Sequence, residues 1–430
     1  MYMLRILWVL SGIALSISFT PLNTYAQPTG HPPLLQYLLN QLKDHNYQYL
    51  SARLKAAAEA QRPAQVSQLP DPKAGISFFP LPVVTARGEQ RSQWRIEQAI
   101  PYPPRLRLQG EIASTFAEAS TYAAEAIRLQ AESLLKQAYS DIFRIQKELE
   151  LIQEFQQQLR VFEEAAASRY TVGKGSQQAI LKAQLERNTL EQRQLQLQAQ
   201  YKRAFEQIVR LIGQSDLPDD TLSAELPSFT PLPSVDTLIT FALANHPELM
   251  ATTYRLRAQE KRIALAHKFF YPDFTLSLQY IDIANRGPTP ATNGKNALAI
   301  GVGVRIPLQR KRLHARVEEA RLQFRQTQAQ LEDLRLALQT QIEDLYYQLK
   351  RTEDQLNLLL SILIPQAQAT LESSLSAYST GKIDFLALLD AERMLYQLNV
   401  QRLQLHSQWF MQLARLERAL GVTSLTELNL

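Results

Sequence analysis

Two hydrophobic periodicities alternate along this chain. Leu135, Ala138, Ile142, Ile145, Leu149, Ile152 and Leu159 follow three–four spacing, and Ile342, Leu345, Leu349, Leu356, Leu359 and Leu363 fall in the same register 207 residues later. Such a seam, with Gln, Glu, Lys and Arg on the other faces, predicts long coiled-coil helices. One helix is expected from Leu108 to Tyr170, roughly 90 Å long at 1.5 Å per residue, too long for a compact globule. The other period is two. Trp94, Ile96 and Ile100 alternate with Arg95 and Glu97, and Leu298, Ile300, Val302, Val304 and Ile306 alternate with Gly301, Gly303 and Arg305. Four short strands are expected: Ala74–Val83 with Ser92–Ile100, and Phe274–Ile283 with Ala297–Ile306. Each half therefore reads as a modest helix, two strands, a very long helix, a tight turn and a returning helix.

The two halves also match in detail. "SRYTVGKGSQQAILKAQLER" from Ser168 and "SAYSTGKIDFLALLDAERML" from Ser376 share Tyr170/Tyr378, Gly173/Gly381, Lys174/Lys382, Ala179/Ala387 and Ala183/Ala391. "IEQAIPYPPRLRLQGEIA" matches "VGVRIPLQRKRLHARVEEA", "LPDPKAGISF" matches "YPDFTLSLQY", and His45 precedes a helical stretch as His246 does. The offsets drift through 201, 202, 206 and 208, as small loop insertions would produce. A tandem duplication is expected, with repeats at 27–213 and 234–430 joined by a Pro- and Asp-rich linker at 214–233. Their hairpins are placed at about 105–213 and 308–420, after strands at 74–100 and 274–306. The glycines fall where a helix must stop and reverse, which a left-handed cap explains. A cap does not explain why residues beyond the turn recur, and their recurrence suggests that the tip touches something. Small alanines there would let a partner's helical hairpin come close.

Composition narrows the setting. Arg5, the apolar run Ile6–Phe19 and Thr24-Tyr25-Ala26 read as a secretory signal peptide over residues 1–26. The chain has no cysteine, so neither disulfides nor an acylated N-terminal Cys is available. No later run of about 18 apolar residues marks a transmembrane helix. The net charge of +5 arises from scattered Lys and Arg balanced by Asp and Glu, a solvated helical surface and not a nucleic-acid patch. Four strands cannot close a barrel, and open edges are not tolerated in lipid. Three chains would supply twelve strands and a cylinder of helices beside them. A soluble sheet packed on its own helices is the competing reading.

The duplication, the "NHPELMATTYRLRAQEKRIALAHKFFYPDFTLSLQY" and "IEQAIPYPPRLRLQGEIA" segments and the paired turns together resemble the TolC-like outer-membrane factor family. Their order in two copies carries the resemblance, which covers the whole mature chain. The "IEQAIPYP" segment is most similar to the branch serving heavy-metal resistance-nodulation-division (RND) pumps, although that branch often continues with Gly-Lys where this chain has Pro104-Arg105. The resemblance implies a mainly α fold with a small β part: a homotrimer with a twelve-stranded barrel in outer-membrane lipid and a helical barrel in the periplasm of a Gram-negative bacterium. It implies a passive duct that docks through Tyr170, Gly173, Lys174, Tyr378, Gly381 and Lys382 to a periplasmic adaptor serving an inner-membrane pump. Where several members carry two carboxylate rings past the second turn, this chain has Ala387 and Asp390, leaving Asp390 as the expected pore constriction.

No catalytic chemistry competes with that reading. His31, His45, His246, His267, His314 and His406 show no metal-ligand spacing, and no nucleotide-binding loop is present. No enzyme activity, cofactor or metal site is expected. A type I secretion channel and a periplasmic coiled-coil adaptor remain as alternatives.

Overall fold

The computed structural model of the protein describes residues 32–85, 87–173, 175–214, 224–227, 229, 231–284 and 294–427. The expected signal peptide, Lys174, residues 215–223 of the expected linker and residues 285–293 lie outside the described residues.

The first half runs α1 (Pro33–His45), α2 (Tyr47–Glu59), α3 (Arg62–Val66), β1 (Lys73–Phe78), β2 (Val84–Thr85), β3 (Gly88–Ile100), α4 (Pro103–Thr171) and α5 (Gln177–Ile212). The second runs α6 (Val235–Asn245), α7 (Pro247–Lys268), β4 (Asp273–Ile283), β5 (Ala297–Arg305), α8 (Arg310–Leu358), α9 (Ile364–Ser379) and α10 (Phe385–Leu420). The fold is mainly helical with a small sheet. Among the described residues no helix is long and apolar enough to cross a membrane.

Helix α4 has 69 residues and starts earlier than the apolar pattern suggested. Pro103 and Pro104 occupy its first turn, where a missing N–H costs nothing and a fixed φ favours the helix. Strand β1 stops at Phe78, short of Val83, because Pro80 and Pro82 cannot donate to a ladder. The second seam also departs from its expected register. Leu359 is buried but Leu363 is exposed. Pro365 has no N–H, and a π-helical turn over Leu359–Leu363, in which the Ile364 N–H reaches back to the Leu359 carbonyl, rotates the seam so that Ile364 is buried instead.

Strands β1, β3, β4 and β5 form one antiparallel sheet in that order, with β2 beside the start of β3. Its register places residues of one parity in line across all four strands. Ile76 pairs with Trp94, Trp94 with Tyr280 and Tyr280 with Leu298; the next row is Ala74, Ile96, Leu278 and Ile300. On the reverse face Gly75, Arg95, Gln279 and Ala299 align, as do Lys73, Glu97, Ser277 and Gly301. The apolar face is the exposed one: Trp94 is 55% exposed, Ile300 74% and Val302 72%. Thr275, Ser277 and Gln279, on the polar face, are half-buried. A soluble sheet buries its apolar face; this one inverts the rule.

Helices follow the same lateral order, α2 against α4, α4 against α7, and α7 against α8, while α5 lies on α4 and α10 lies between α4 and α8. The main core gathers Leu35, Leu38, Leu135, Tyr139, Ile142, Ile208, Leu349, Trp409, Phe410 and Leu416 where these helices converge. Close approach of α4 and α10 is set by small residues. Ser140 and Ser407 are both fully buried, with hydroxyls 2.8 Å apart, and the Ser133 hydroxyl donates to the Ala414 carbonyl at 3.0 Å. Lys136 lies in the same seam, 2.6 Å from the Glu417 carboxylate, and donates to the Thr423 carbonyl, which ties the chain's C-terminal turn to α4.

Asn46 and His246 cap the second helix of each half. The Asn46 side chain accepts from the Tyr49 N–H at 2.8 Å and donates to the Leu211 carbonyl, and His246 Nδ1 accepts from the Glu248 N–H at 3.2 Å. The residue corresponding to His246 is therefore Asn46, not His45. Burial lowers the His246 pKa to about 4, so the imidazole is neutral and its second nitrogen bonds the Arg418 backbone. The sheet is anchored to the helices by Arg105, whose guanidinium lies 2.9 Å from Asp273, while Tyr102 stacks on Tyr271 at 4.6 Å.

Candidate functional site

The recurring turns lie together at the ends of the long hairpins. After α4, Gly173 takes φ +73° and its N–H donates to the Tyr170 carbonyl at 3.0 Å. After α9, Gly381 takes φ +74° and donates to the Tyr378 carbonyl at 3.0 Å, while the Lys382 N–H reaches the Ala377 carbonyl at 2.9 Å. These are left-handed caps that satisfy carbonyls the ending helix leaves free. The returning helices are capped in turn. The Ser176 hydroxyl accepts from the Ala179 N–H at 3.3 Å, and the Asp384 carboxylate from the Ala387 N–H at 3.0 Å.

A residue that the sequence pattern did not single out joins the tips. Arg169, in the last turn of α4, donates to the carbonyls of Tyr378 and Ser379 at 2.8 and 3.2 Å. Its guanidinium also lies over the Tyr378 ring, 4.2 Å from the centroid, and Tyr378 meets Phe385 edge-on. Between the tips lies a cleft of about 670 Å³ lined by Gly173, Ser176, Thr380, Gly381 and Asp384 among others. Further from the turns, Arg393 bridges α10 to α5 through Glu186 at 2.5 Å, and Phe155 stacks on Tyr396 at 4.8 Å.

The expected docking residues divide by exposure. Tyr170, Gly173, Gly381, Lys382 and Ala387 are exposed and Tyr378 and Ala391 are half-buried; Lys174 lies outside the described residues. Ala179 and Ala183 do not face solvent. Ala183 is 1% exposed, in an apolar cluster with Ile152, Phe155, Leu190, Phe385 and Leu389. Their small size serves the close approach of the chain's own helices, which corrects the expectation that they offer a surface. The Asp390 carboxylate is 74% exposed and 3.7 Å from Arg393. Of the histidines, His246 caps a helix and His406 is half-buried with its ring edge-on to Phe143, its pKa lowered by desolvation. No group of three potential metal ligands occurs among the described residues.

Residues 238–422, from α6 to the end of α10, match the family described as outer membrane efflux protein. That match lies in the second half of the chain. The family is one of efflux proteins of the outer membrane and not of enzymes. A curated relative, the cobalt-zinc-cadmium resistance protein CzcC of Cupriavidus metallidurans, is 24% identical over 263 residues, covering 60% of this chain and 60% of its own. Among solved structures, the outer-membrane channel OprN superposes with a TM-score of 0.76 at 20% identity, covering 91% of this chain and 90% of its own. The outer membrane protein VceC of Vibrio cholerae gives 0.73 at 20%, covering 90% and 96%. CusC, solved in work on folding and transmembrane channel formation, gives 0.73 at 18%, covering 90% and 92%. These likenesses establish the TolC-like fold.

Proposed function

We propose that this protein is the outer-membrane exit duct of a tripartite efflux system in a Gram-negative bacterium. Three copies form it, with the sheets closed into a twelve-stranded barrel and the helices extending into the periplasm. The carrying observation is the sheet, whose apolar face is exposed across all four strands while Thr275, Ser277 and Gln279 of β4, on the other face, are half-buried. In water such a face costs free energy; in lipid it is the stable arrangement.

Trimer closure is supported by the free edges. Adjacent strands run antiparallel from β1 to β5, so β5 of one copy meets β1 of the next in the antiparallel sense that an even-stranded barrel requires. The helices end in the same way. The outer flank of α2 leaves Tyr47 and Leu54 uncovered, and that of α8 leaves Leu322, Leu336 and Tyr347 uncovered. The similar plans of the two halves, with α5 and α10 both 36 residues long and starting 208 residues apart, support a duplication.

The exposed tip residues Tyr170, Gly173, Gly381, Lys382 and Ala387, with Lys174 and Ala391, dock a periplasmic adaptor that couples the duct to an inner-membrane pump of the RND type. Asp390 narrows the pore as a three-fold ring. Likeness to a cobalt-zinc-cadmium resistance protein supports divalent metal ions as the cargo class. Native mass spectrometry of the detergent-purified protein tests the assembly: a trimer is expected, and a detergent-independent soluble monomer overturns the proposal.

A further inference from the structure

The last turn of α7, the Phe270-Tyr271 link and the first three turns of α8 line an open cavity of about 820 Å³ at the boundary between sheet and helices. It lies at the helical ends of β4 and β5, where exposed Ile306 and Leu308 link Val304 to the start of α8. Its lining is basic and aromatic. Lys268 lies over the Tyr271 ring at 5.5 Å, and Lys311 makes no ion pair among the described residues. Phe270 has the His314 ring edge-on at 5.3 Å and the Arg310 guanidinium over it at 5.7 Å, and His267 completes the wall. The one carboxylate in the lining, Glu318, is 3.5 Å from Arg321 and is offset by it. Two further arginines, Arg105 and Arg316, lie over Phe269 at 4.3 and 3.9 Å and are held there.

We propose that this cavity binds the phosphate headgroup of an anionic phospholipid from the inner leaflet of the outer membrane. The inference rests on the duct reading, which sets the cavity at the periplasmic rim of the barrel. At that depth the lipid presents one negative phosphate and then hydrocarbon. The protein presents Lys268 and Lys311 at the cavity and then the apolar face of β4 and β5. Phe270 and Tyr271 fill the interfacial layer in which aromatic rings are favoured. Each cation near an anionic lipid surface contributes enough for removal of two to change lipid preference by roughly tenfold to thirtyfold.

The test reconstitutes the full-length protein into phosphatidylcholine vesicles doped with phosphatidylglycerol, re-extracts it in mild detergent and measures the lipids retained. The wild type is expected to retain phosphatidylglycerol over its share of the vesicle, and Lys268→Gln/Lys311→Gln to lose that enrichment by roughly tenfold or more. Lys268→Arg/Lys311→Arg is expected to keep it. So is Lys202→Gln/Arg203→Gln, which makes the same charge change on exposed α5 positions. Flotation with pure phosphatidylcholine vesicles separates the two readings. Wild type that fails to float overturns the duct and the lipid site together. Wild type that floats but retains the two lipids in proportion, or an unchanged preference in the double glutamine variant, overturns the lipid site alone.

Discussion

Four glycines with left-handed backbone separate strain from packing. Gly173 and Gly381 stand at the tips with nothing within 4 Å of where a Cβ would be, so replacement by Ala costs only the conformational term, about 1 kcal/mol. Gly213 and Gly421 cap α5 and α10 with φ of +67° and +81° and pack on the helix junctions. A Cβ at Gly213 would lie 2.4 Å from the His45 carbonyl oxygen, and one at Gly421 would lie 2.8 Å from Pro247 Cδ and 3.1 Å from His246 Cα. Those neighbours are backbone or a proline ring and cannot swing aside. Overpacking adds about 1–3 kcal/mol to the strain, for a total of about 2–4 kcal/mol. Far-ultraviolet circular dichroism of the four detergent-purified alanine variants, heated at one scan rate, should rank Gly213→Ala and Gly421→Ala well below Gly173→Ala and Gly381→Ala. If the junction variants melt with the tip variants, the packing argument for the junctions is wrong.

Ala183→Trp should prevent assembly, because the site is buried, whereas Ala387→Trp should leave assembly intact and reduce crosslinking to the adaptor; immunoblotting for trimer and for the crosslink reads both. His246 is neutral when folded, with a pKa of about 4 against an ordinary 6.5, so the unfolded chain binds its proton first. Its contribution, roughly 3 kcal/mol, is complete above about pH 6.5 and is lost as pH falls toward 4; denaturation at a series of pH values should show a shallower acid loss in His246→Asn than in wild type. Asp390→Ala channels in planar bilayers should lose cation preference, and unchanged selectivity would leave Asp390 as a solvated partner of Arg393.

Strand positions were legible because alternation is a direct imprint of two faces. The expected Phe274–Ile283 begins one residue after β4 does, and Ala297–Ile306 runs one residue past β5. Period alone does not say which face is covered and which is open; the exposure of Trp94 and Ile300 does. Local backbone chemistry moved several boundaries, at Pro80 and Pro82 after β1, at Pro103 in the first turn of α4 and at Pro365 in the second seam. Recurrence found the tips but misjudged Ala179 and Ala183, because a small residue suits a helix–helix contact within one chain as well as one between chains. Arg169 and the cavity holding His267 and His314 depend on residues far apart in sequence and left no periodic signal.

The most direct test of the duct reading compares arginine on the two faces of the sheet at neighbouring rows. Ile300→Arg places charge on the exposed apolar face and should cost about 2–4 kcal/mol near the bilayer midplane, sharply reducing outer-membrane assembly. Gln279→Arg, on the polar face beside Arg95, should assemble nearly as well as wild type. Assembly is read as heat-resistant trimer in the outer-membrane fraction. The account predicts loss for Ile300→Arg and retention for Gln279→Arg. Retention of both, or loss of Gln279→Arg alone, would contradict it.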